Sequence, residues 1–238
     1  MERAIRDRVN GIDWKAAEAS LSDSGFARAG PLLTPEECRA LVSLYSDDSA
    51  FRSRVVMERH RFGKGDYKYL RYPLPEVVAA LREASYPHLA AIANRWNQAS
   101  GERETGFPAA HEEFLRRCHR AGQKQPTPLP LHYEAGGFNC LHQDLYGEIA
   151  FPVQLVVMLG QQGRDWQGGE FVLVENVPRA QSRAEVITAD QGHGVFFTTR
   201  YRPVKGSRGY YRVAMRHGVS RIRTGIRYTL GVIYHDAK

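Results

Sequence analysis

The fold is decided by a stretch in the middle of the chain, Phe138-Asn-Cys-Leu-His142-Gln-Asp144-Leu-Tyr-Gly147. It predicts a short strand that runs to His142 and is followed by a turn with a glycine. The same pattern of short β segments and glycine-rich turns continues from Leu129 onward. It predicts about eight strands, over residues 131–134, 138–142, 149–159, 170–174, 184–188, 195–199, 211–216 and 227–234.

Eight such strands predict a jelly roll. The part of the chain before them favours helices: an amphipathic one over 13–21, one capped by Thr34 that ends near Tyr45, one that starts at Pro75 and breaks or kinks at Pro87, and one over 107–121. We therefore predict an α+β fold, with a helical half (residues 1–128) packed on a double-stranded β-helix, a cupin-like jelly-roll core (129–238). The prediction is one catalytic domain over 1–238.

Composition restricts the class of protein. With 238 residues and 42% hydrophobic residues, the chain can bury one good core. No apolar stretch reaches the roughly 20 residues that a membrane helix needs, and the charged start is unlike a signal peptide. Three cysteines are too few for a disulfide framework. These features predict a cytoplasmic protein without a membrane partner, and they leave its oligomeric state open.

The net charge of +7 is unevenly distributed. No Asp or Glu occurs from Gln191 to His235, and the segment 51–72 carries seven Lys or Arg against two acids, with aromatic residues between them. Such a mixture suits phosphates and unpaired bases. The segment reads as a hairpin or flap outside the main core. The candidate nucleic-acid contacts are Arg52, Arg54, Arg59, Arg61, Lys64 and Lys68, and the alternative is a solvated basic face.

Three residues form a candidate metal site. His142 and Asp144 are two apart, so in extended backbone their side chains point to the same face, and His217 would join them from a distant strand. Two His and one carboxylate form the facial triad that holds non-haem Fe(II) and leaves other positions open. The alternative for His142 and Asp144 is an ion pair in a turn.

A candidate anion site follows ten residues after His217. Arg227 and Thr229 share one strand face, and flanking apolar residues place that face inside the barrel, where an unpaired charge would be costly. A guanidinium with a neighbouring hydroxyl can bind a carboxylate. Tyr133 could bind the same ligand or pack in the core. A surface position is the alternative for Arg227.

Several other polar residues keep two interpretations. Asn139 and Gln154 line the active site or face solvent at an edge, and Cys140 approaches the metal or packs as a small residue. Glu170 is assigned to the surface. The remaining histidines that were considered lack metal partners in register and are assigned to packing or the surface: His60, His111, His119, His132, His193 and His235.

The segment from Leu131 to Asp236 resembles the Fe(II)/2-oxoglutarate-dependent dioxygenases, in a style similar to prolyl hydroxylases. The runs that carry this resemblance are His142-x-Asp144, Gly168-Gly-Glu-Phe171, His217-Gly-Val-Ser220 and Gly225-x-Arg227-Tyr-Thr-Leu230. Almost the whole chain also resembles a bacterial family of oxygenases acting on damaged, alkylated DNA. The runs for this second resemblance are Arg52-Ser-Arg-Val-Val-Met57, Arg59-His-Arg-Phe-Gly63, Tyr67-Lys-Tyr69, Asn139-Cys-Leu-His-Gln-Asp-Leu-Tyr-Gly147 and Met215-Arg-His-Gly-Val-Ser220.

The resemblance implies Fe(II), the co-substrate 2-oxoglutarate and O2, with hydroxylation of a substrate C–H bond. For an N-methylated base the hydroxymethyl product would lose formaldehyde, and the base would have to be single-stranded or flipped out of the duplex. Two alternatives stay open: a hydroxylase of a protein side chain or small molecule, and a non-catalytic jelly-roll protein that binds nucleic acid.

Overall fold

The computed structural model describes residues 2–101, 106–144, 147–177, 179–207 and 209–238. Its five α-helices are α1 (Glu2–Asn10), α2 (Trp14–Ser24), α3 (Pro35–Leu44), α4 (Glu76–Ala99) and α5 (His111–Arg120), and short 3-10 helices span Asp48–Ala50 and Met57–His60. Its first strands are β1 (Phe26–Ala29), β2 (Phe51–Val56), β3 (Gly63–Lys64), β4 (Asp66–Leu70), β5 (Leu129–Tyr133), β6 (Phe138–His142) and β7 (Val153–Met158). The others are β8 (Trp166–Gly168), β9 (Phe171–Asn176), β10 (Arg183–Ile187), β11 (Gly194–Thr198), β12 (Tyr201–Gly206), β13 (Gly209–Val219), β14 (Ile222–Gly225) and β15 (Arg227–Val232).

The start of α3 follows from local side-chain chemistry. Thr34 accepts a hydrogen bond from the Glu37 amide, and the Glu37 carboxylate accepts one from the Thr34 amide, so both form a complete capping box. Pro35 occupies the first turn, where its missing N–H is not needed. The helix ends at Leu44 and is capped by Tyr45. The sequence prediction for this helix is confirmed.

Seven antiparallel strands form the larger sheet, in the order β1-β11-β7-β15-β5-β4-β2. Helices α1, α2 and α4 cover one face of this sheet. Alternation along β7 shows the two faces: Val153, Leu155 and Val157 join the core under the helices, whereas Val156 and Met158 point to the opposite side. The helices therefore bury one face, and the other face is left for a second sheet.

The second sheet has the order β10-β9-β13-β6-β3, with β12 paired to β13. Its inward residues, including Phe171, Leu173 and Met215, pack in one cluster with Val156 and Phe197 of the larger sheet. The two antiparallel sheets thus face each other across an apolar layer. A small pair, β8 and β14, lies apart from both. The mixed helix and sheet architecture agrees with the prediction.

The segment 51–72 differs from its prediction. Its hairpin is real, because β2 pairs with β4, but β4 also pairs with β5 and β3 pairs with β6. The segment therefore joins the edges of both sheets and is not a flap outside the core. Asp66, a charged residue in β4, is buried because Tyr45, Arg54 and His132 all bind its carboxylate.

Two further predictions are met only in part. The predicted break at Pro87 is absent, because the helix runs as one element from Glu76 to Ala99 with Pro87 inside it. The residues before Leu129 are not only helical, because they provide β1 at one edge of the larger sheet and β4 and β2 at the other. Three strands after Leu129 were not predicted, namely β8, β12 and β14.

Candidate active site

The three candidate metal ligands lie together at the ends of two paired strands. His217 of β13 is the direct cross-strand partner of His142 in β6, and Asp144 follows β6 by two residues. The two imidazole centroids are 4.2 Å apart. Asp144 Oδ1 lies 3.5 Å from His142 Nε2, and Asp144 Oδ2 lies 3.3 Å from His217 Nε2. Antiparallel register therefore explains how residues 75 positions apart reach one point.

These distances fit a single ion. Adjacent ligands that each lie about 2.1 Å from an octahedral ion are about 3 Å from one another, and one ligand atom from each of the three residues lies within 4.8 Å of the others. His142 Nδ1 lies 2.8 Å from the Cys140 carbonyl oxygen, so this nitrogen donates to the backbone and Nε2 is left for the metal. The donor set suits Fe(II).

The charges of the site are coupled. Burial alone would raise the pKa of Asp144, but the imidazoles of His217 and His142 outweigh burial and hold it well below its usual range. Burial lowers the pKa of His217, as does the neighbouring His142. For His142 the effect of burial is exceeded by that of Asp144, and its pKa is raised. A carboxylate that stays ionised among imidazoles is prepared for a cation.

Arg227 provides the second charged feature. It is 1% exposed, forms no ion pair with a described residue, and its Nε has no hydrogen-bond partner among them. Its Nη2 donates only to Met158 Sδ, at 3.7 Å, and its guanidinium lies 5.7 Å from the ring centroid of Tyr133. Burial lowers the pKa of Arg227 to about 10. A buried, charged and unpartnered guanidinium is costly unless an anion joins it.

Two neighbours of Arg227 complete an anion pocket. Thr229, two residues along β15, is 1% exposed and lines the same cavity. Tyr133 lies opposite Arg227 in the register of β5 and β15 and is fully buried. Its phenolic oxygen has no hydrogen-bond partner among the described residues, and burial raises its pKa to about 12. Because Arg227 itself is buried beside these two residues, the alternative of a surface position for Arg227 is wrong.

One cavity of about 420 Å³ connects all these groups. It lies between the sheets, with His217 on β13 and Arg227 on β15. Gln154, from the centre of the larger sheet, is 5% exposed and its side-chain nitrogen has no partner among the described residues, so the edge alternative for Gln154 is wrong. Asn139 and Cys140 also line the cavity. Cys140 is exposed and is not a buried packing residue.

The structure divides the six predicted nucleic-acid contacts. Lys68 is 7% exposed, and its ammonium binds the Tyr45 carbonyl and Asp48, so it is not available to a ligand. Arg54 binds Asp66, and Arg52 donates to the Pro126 carbonyl. Arg54 is exposed despite this ion pair. The other three predicted contacts, Arg59, Arg61 and Lys64, are exposed and have no side-chain partner among the described residues.

The other polar predictions have structural outcomes. The only group of three or more potential metal ligands within the described ranges is the His-Asp-His cluster, so the remaining histidines stay assigned to packing or the surface. His111 is buried against Tyr86 and is not a surface residue. Glu170 is half-buried, where its carboxylate binds Ser220 and Gln162. Its charge opposes, to a small extent, the lowering of the Arg227 pKa by burial.

Residues that sequence reasoning missed also line the cavity. Phe62 and Leu141 stand at its mouth and are 47% and 46% exposed, and Tyr67 lies in its wall. Phe62 was within the basic and aromatic segment, which was the available signal. Nothing in the sequence pattern distinguished Leu141 from a core residue of its strand. No helix within the described ranges is long and apolar enough to cross a membrane.

Two facing antiparallel sheets, with a His-Asp-His cluster on one and a buried arginine on the other, resemble the fold of the 2-oxoglutarate- and Fe(II)-dependent oxygenases. Solved structures share the fold. A prolyl-4-hydroxylase of Pseudomonas putida aligns with a TM-score of 0.52 at 16% identity, over 94% of this chain and 99% of that one. An oxidoreductase of the 2OG-Fe(II) oxygenase family from Burkholderia pseudomallei aligns with a TM-score of 0.52 at 15% identity, over 96% and 94%. The epimerase SnoN of nogalamycin biosynthesis aligns with a TM-score of 0.55 at 15% identity, over 92% of this chain and 81% of that one.

Sequence comparison identifies the family. Residues 65–237 match the family model described as "Oxygenase, catalysing oxidative methylation of damaged DNA", and the chain belongs to this family. It is also 49% identical over 165 residues to uncharacterised proteins of two Mycobacterium tuberculosis strains, CDC 1551 and H37Rv. That alignment covers 69% of this chain and 70% of each relative.

Proposed function

We propose that this oxygenase hydroxylates N-alkyl carbons of damaged nucleic-acid bases and so removes the alkyl group. In this proposal His142, Asp144 and His217 hold Fe(II), and Arg227 with Thr229 binds the distal carboxylate of 2-oxoglutarate. The two facing sheets form a double-stranded β-helix, and the chain acts as one catalytic domain. The unbridged cysteines fit a cytoplasmic enzyme.

The observation that carries the proposal is Arg227. A single buried guanidinium without an anionic partner among the described residues shares one cavity with a cluster of three metal ligands. Because Arg227 and the cluster line the same cavity, we expect a dicarboxylate to bind Arg227 at one end and the metal at the other, so that one molecule would satisfy both charged features. The Tyr133 phenol and Gln154 amide are further buried polar groups that a co-substrate can satisfy.

The bound metal with O2 and 2-oxoglutarate supplies the oxidation: one oxygen atom enters the substrate C–H bond and the other enters succinate, with release of CO2. The residues of the chain hold and orient the reacting groups. Ionised Asp144 and the Nε2 atoms of the two histidines fix the reacting centre, and the Cys140 carbonyl fixes the ring of His142. Apolar walls that include Phe171 and Phe197 keep water from this end of the cavity.

Two findings support a nucleic-acid substrate. The description of the family to which the chain belongs names damaged DNA. In addition, the exposed cation Arg61 is part of the cavity lining, and Arg59 and Lys64, which are also exposed, lie two and three residues from it in the chain. Phosphates are the anions that such a group of cations attracts in a nucleic acid.

The test measures succinate and formaldehyde with Fe(II), 2-oxoglutarate and O2. A methylated single-stranded oligonucleotide is compared with the same unmethylated strand. We expect the methylated strand alone to raise succinate, with formaldehyde in equal amount. Asp144→Ala should abolish this turnover, whereas Asp7→Ala, an exposed carboxylate of α1, should leave it unchanged. Turnover that depends on Asp144 but is indifferent to the methylated strand would refute the nucleic-acid substrate and direct the search to proteins or metabolites.

A further inference from the structure

The cavity mouth is formed in part by residues 57–64, called the mouth loop below. Buried Met57 anchors its start, and its end pairs with β6 through Gly63 opposite Asn139. The Phe62 carbonyl accepts a hydrogen bond of 2.8 Å from the Cys140 amide. Because two residues of extended strand span about 7 Å, this bond holds the mouth loop close to His142, the first metal ligand. The mouth loop therefore has a fixed position beside the reacting centre.

The aromatic residues of the mouth loop are arranged for stacking. The rings of His60 and Phe62 are stacked, with centroids 5.2 Å apart and an interplanar angle of 23°. Phe62 lines the cavity and is still 47% exposed, and Leu141 beside it is 46% exposed. A large apolar ring that stands in water at the entrance of an apolar cavity is a surface that a flat, apolar ligand can cover.

The charges of the mouth loop favour an anionic chain. Arg59, Arg61 and Lys64 are exposed, and their side chains make no hydrogen bond or ion pair with the described residues. Glu58 is the one acid between Met57 and Lys64. By contrast, Arg54 in the neighbouring strand β2 is held by Asp66. Three exposed cations of the segment that have no side-chain partner among the described residues thus lie within three residues of Phe62 in the chain, and a fourth, Arg71, lies outside the mouth loop.

We propose that Phe62, backed by His60, is a stacking platform for a base of single-stranded nucleic acid, namely the base next to the one that enters the cavity. The exposed cations of the mouth loop then bind the adjoining phosphates. Stacking on an aromatic ring is available to every base, so the platform would bind the strand without reading its sequence. The inference rests on the proposed function, because it assumes that the substrate of this cavity is a nucleic acid.

Binding of a fluorescent, unmethylated oligothymidylate to the full chain, measured by fluorescence anisotropy, tests the platform without turnover. We expect Phe62→Ala and Phe62→Leu each to weaken binding at least about fivefold, and Phe62→Trp to retain it, because Leu keeps apolar area but has no ring. Tyr210→Ala removes an exposed ring of β13 outside the cavity lining and should change nothing. Circular dichroism confirms that each variant is folded.

The Phe62→Trp variant gives an independent readout. Its indole fluorescence should be quenched when the oligonucleotide binds, beyond the small change of the wild-type chain with its three tryptophans. Replacing Arg59, Arg61 and Lys64 together by Gln should reduce the slope of log K against log salt by roughly one unit for each lost phosphate contact.

Three results would overturn the platform. Phe62→Ala could bind the oligonucleotide as the wild type does, Phe62→Leu could bind as well as Phe62→Trp, or a poly-glutamate peptide could compete as effectively as the oligonucleotide, which would indicate an acidic protein partner. The failure of the proposed function is distinguishable: Phe62-dependent binding without formaldehyde release would leave the platform and remove the demethylation. Formaldehyde release that is the same in the wild type and in Phe62→Ala would support the demethylation and remove the platform.

Discussion

Replacing Arg227 by Met should stabilise the protein without its co-substrate and remove its response to 2-oxoglutarate. In the unliganded protein the guanidinium is 1% exposed and has no ion pair with a described residue. Burial lowers its pKa from 12.5 to about 10, which corresponds to about 3 kcal/mol against the charged form. Methionine fills a similar volume without a charge, so the unfolding free energy of the unliganded variant should rise by about 1–3 kcal/mol.

Thermal unfolding with Mn(II) in place of Fe(II) measures both effects. For a chain of this size, 1 kcal/mol corresponds to about 2–4 °C in Tm. The wild type should gain about 2.7 kcal/mol when 2-oxoglutarate is present at 100 times its Kd, or roughly 5–11 °C. Arg227→Met should start from a higher Tm and gain almost nothing at the same concentration.

Arg202 is the matched control, because it is equally buried but paired. It is 4% exposed and its guanidinium binds the Glu175 carboxylate. Arg202→Met leaves the buried Glu175 carboxylate with only the longer 3.7 Å contact to Arg183, so it should destabilise the protein by up to roughly 3–5 kcal/mol and leave the 2-oxoglutarate response intact. The reasoning would be refuted if Arg227→Met lowered the Tm in the way Arg202→Met does while the shift with 2-oxoglutarate persisted.

Three further predictions concern stability and the metal site. Burial lowers the pKa of His111 to about 3, so on acidification the unfolded chain binds a proton at this residue before the folded chain does. The free energy of unfolding should therefore fall as the pH drops from about 6.5 toward 3, by up to roughly 1.4 kcal/mol per pH unit. In urea unfolding, the His111→Phe variant should show a smaller fall over the same pH range. Asp66→Asn removes the charge of a carboxylate whose pKa is held at about 2 against the effect of burial, and should lower the urea midpoint at pH 7 but much less at pH 2; equal effects at both pH values would contradict this. Gly218→Ala would place a Cβ 2.7 Å from the Asn139 carbonyl oxygen, between the strands that carry the ligands, so Mn(II) affinity measured by calorimetry should fall about tenfold or more while His217 itself is unchanged.

Two of the candidate metal ligands could be predicted because their residue types and their spacing are visible in the sequence itself. His142 and Asp144 are two residues apart, and alternation in a strand fixes their shared face. The arrival of His217 was a hypothesis from residue type alone, since cross-strand register depends on the whole sheet. Between the pairs His217–His142 and Val219–Asn139, β13 advances by two residues and β6 by three, and the sequence pattern of β6 did not predict this extra residue.

Two features could not be predicted from the sequence: the position of the edge strands in the larger sheet, and which cations are neutralised by a partner. β2 and β4 were seen as a hairpin, but their place at the edge of the larger sheet depends on pairing with β5, which is about 60 residues away in the chain. The same distance hides which cations are free. Lys68 looks like its exposed neighbours in sequence, and only folding brings Asp48 and the Tyr45 carbonyl to its ammonium.

The position of β15 has a consequence for how the protein is made. This strand follows the other fourteen described strands in chain order, yet it lies in the middle of the larger sheet, between β7 and β5. A nascent chain on the ribosome therefore has two unpaired inner edges until β15 emerges, and such edges are open to wrong partners. Since β15 also carries Arg227, a polypeptide from which β15 has not yet emerged lacks the guanidinium that we propose as the carboxylate-binding group.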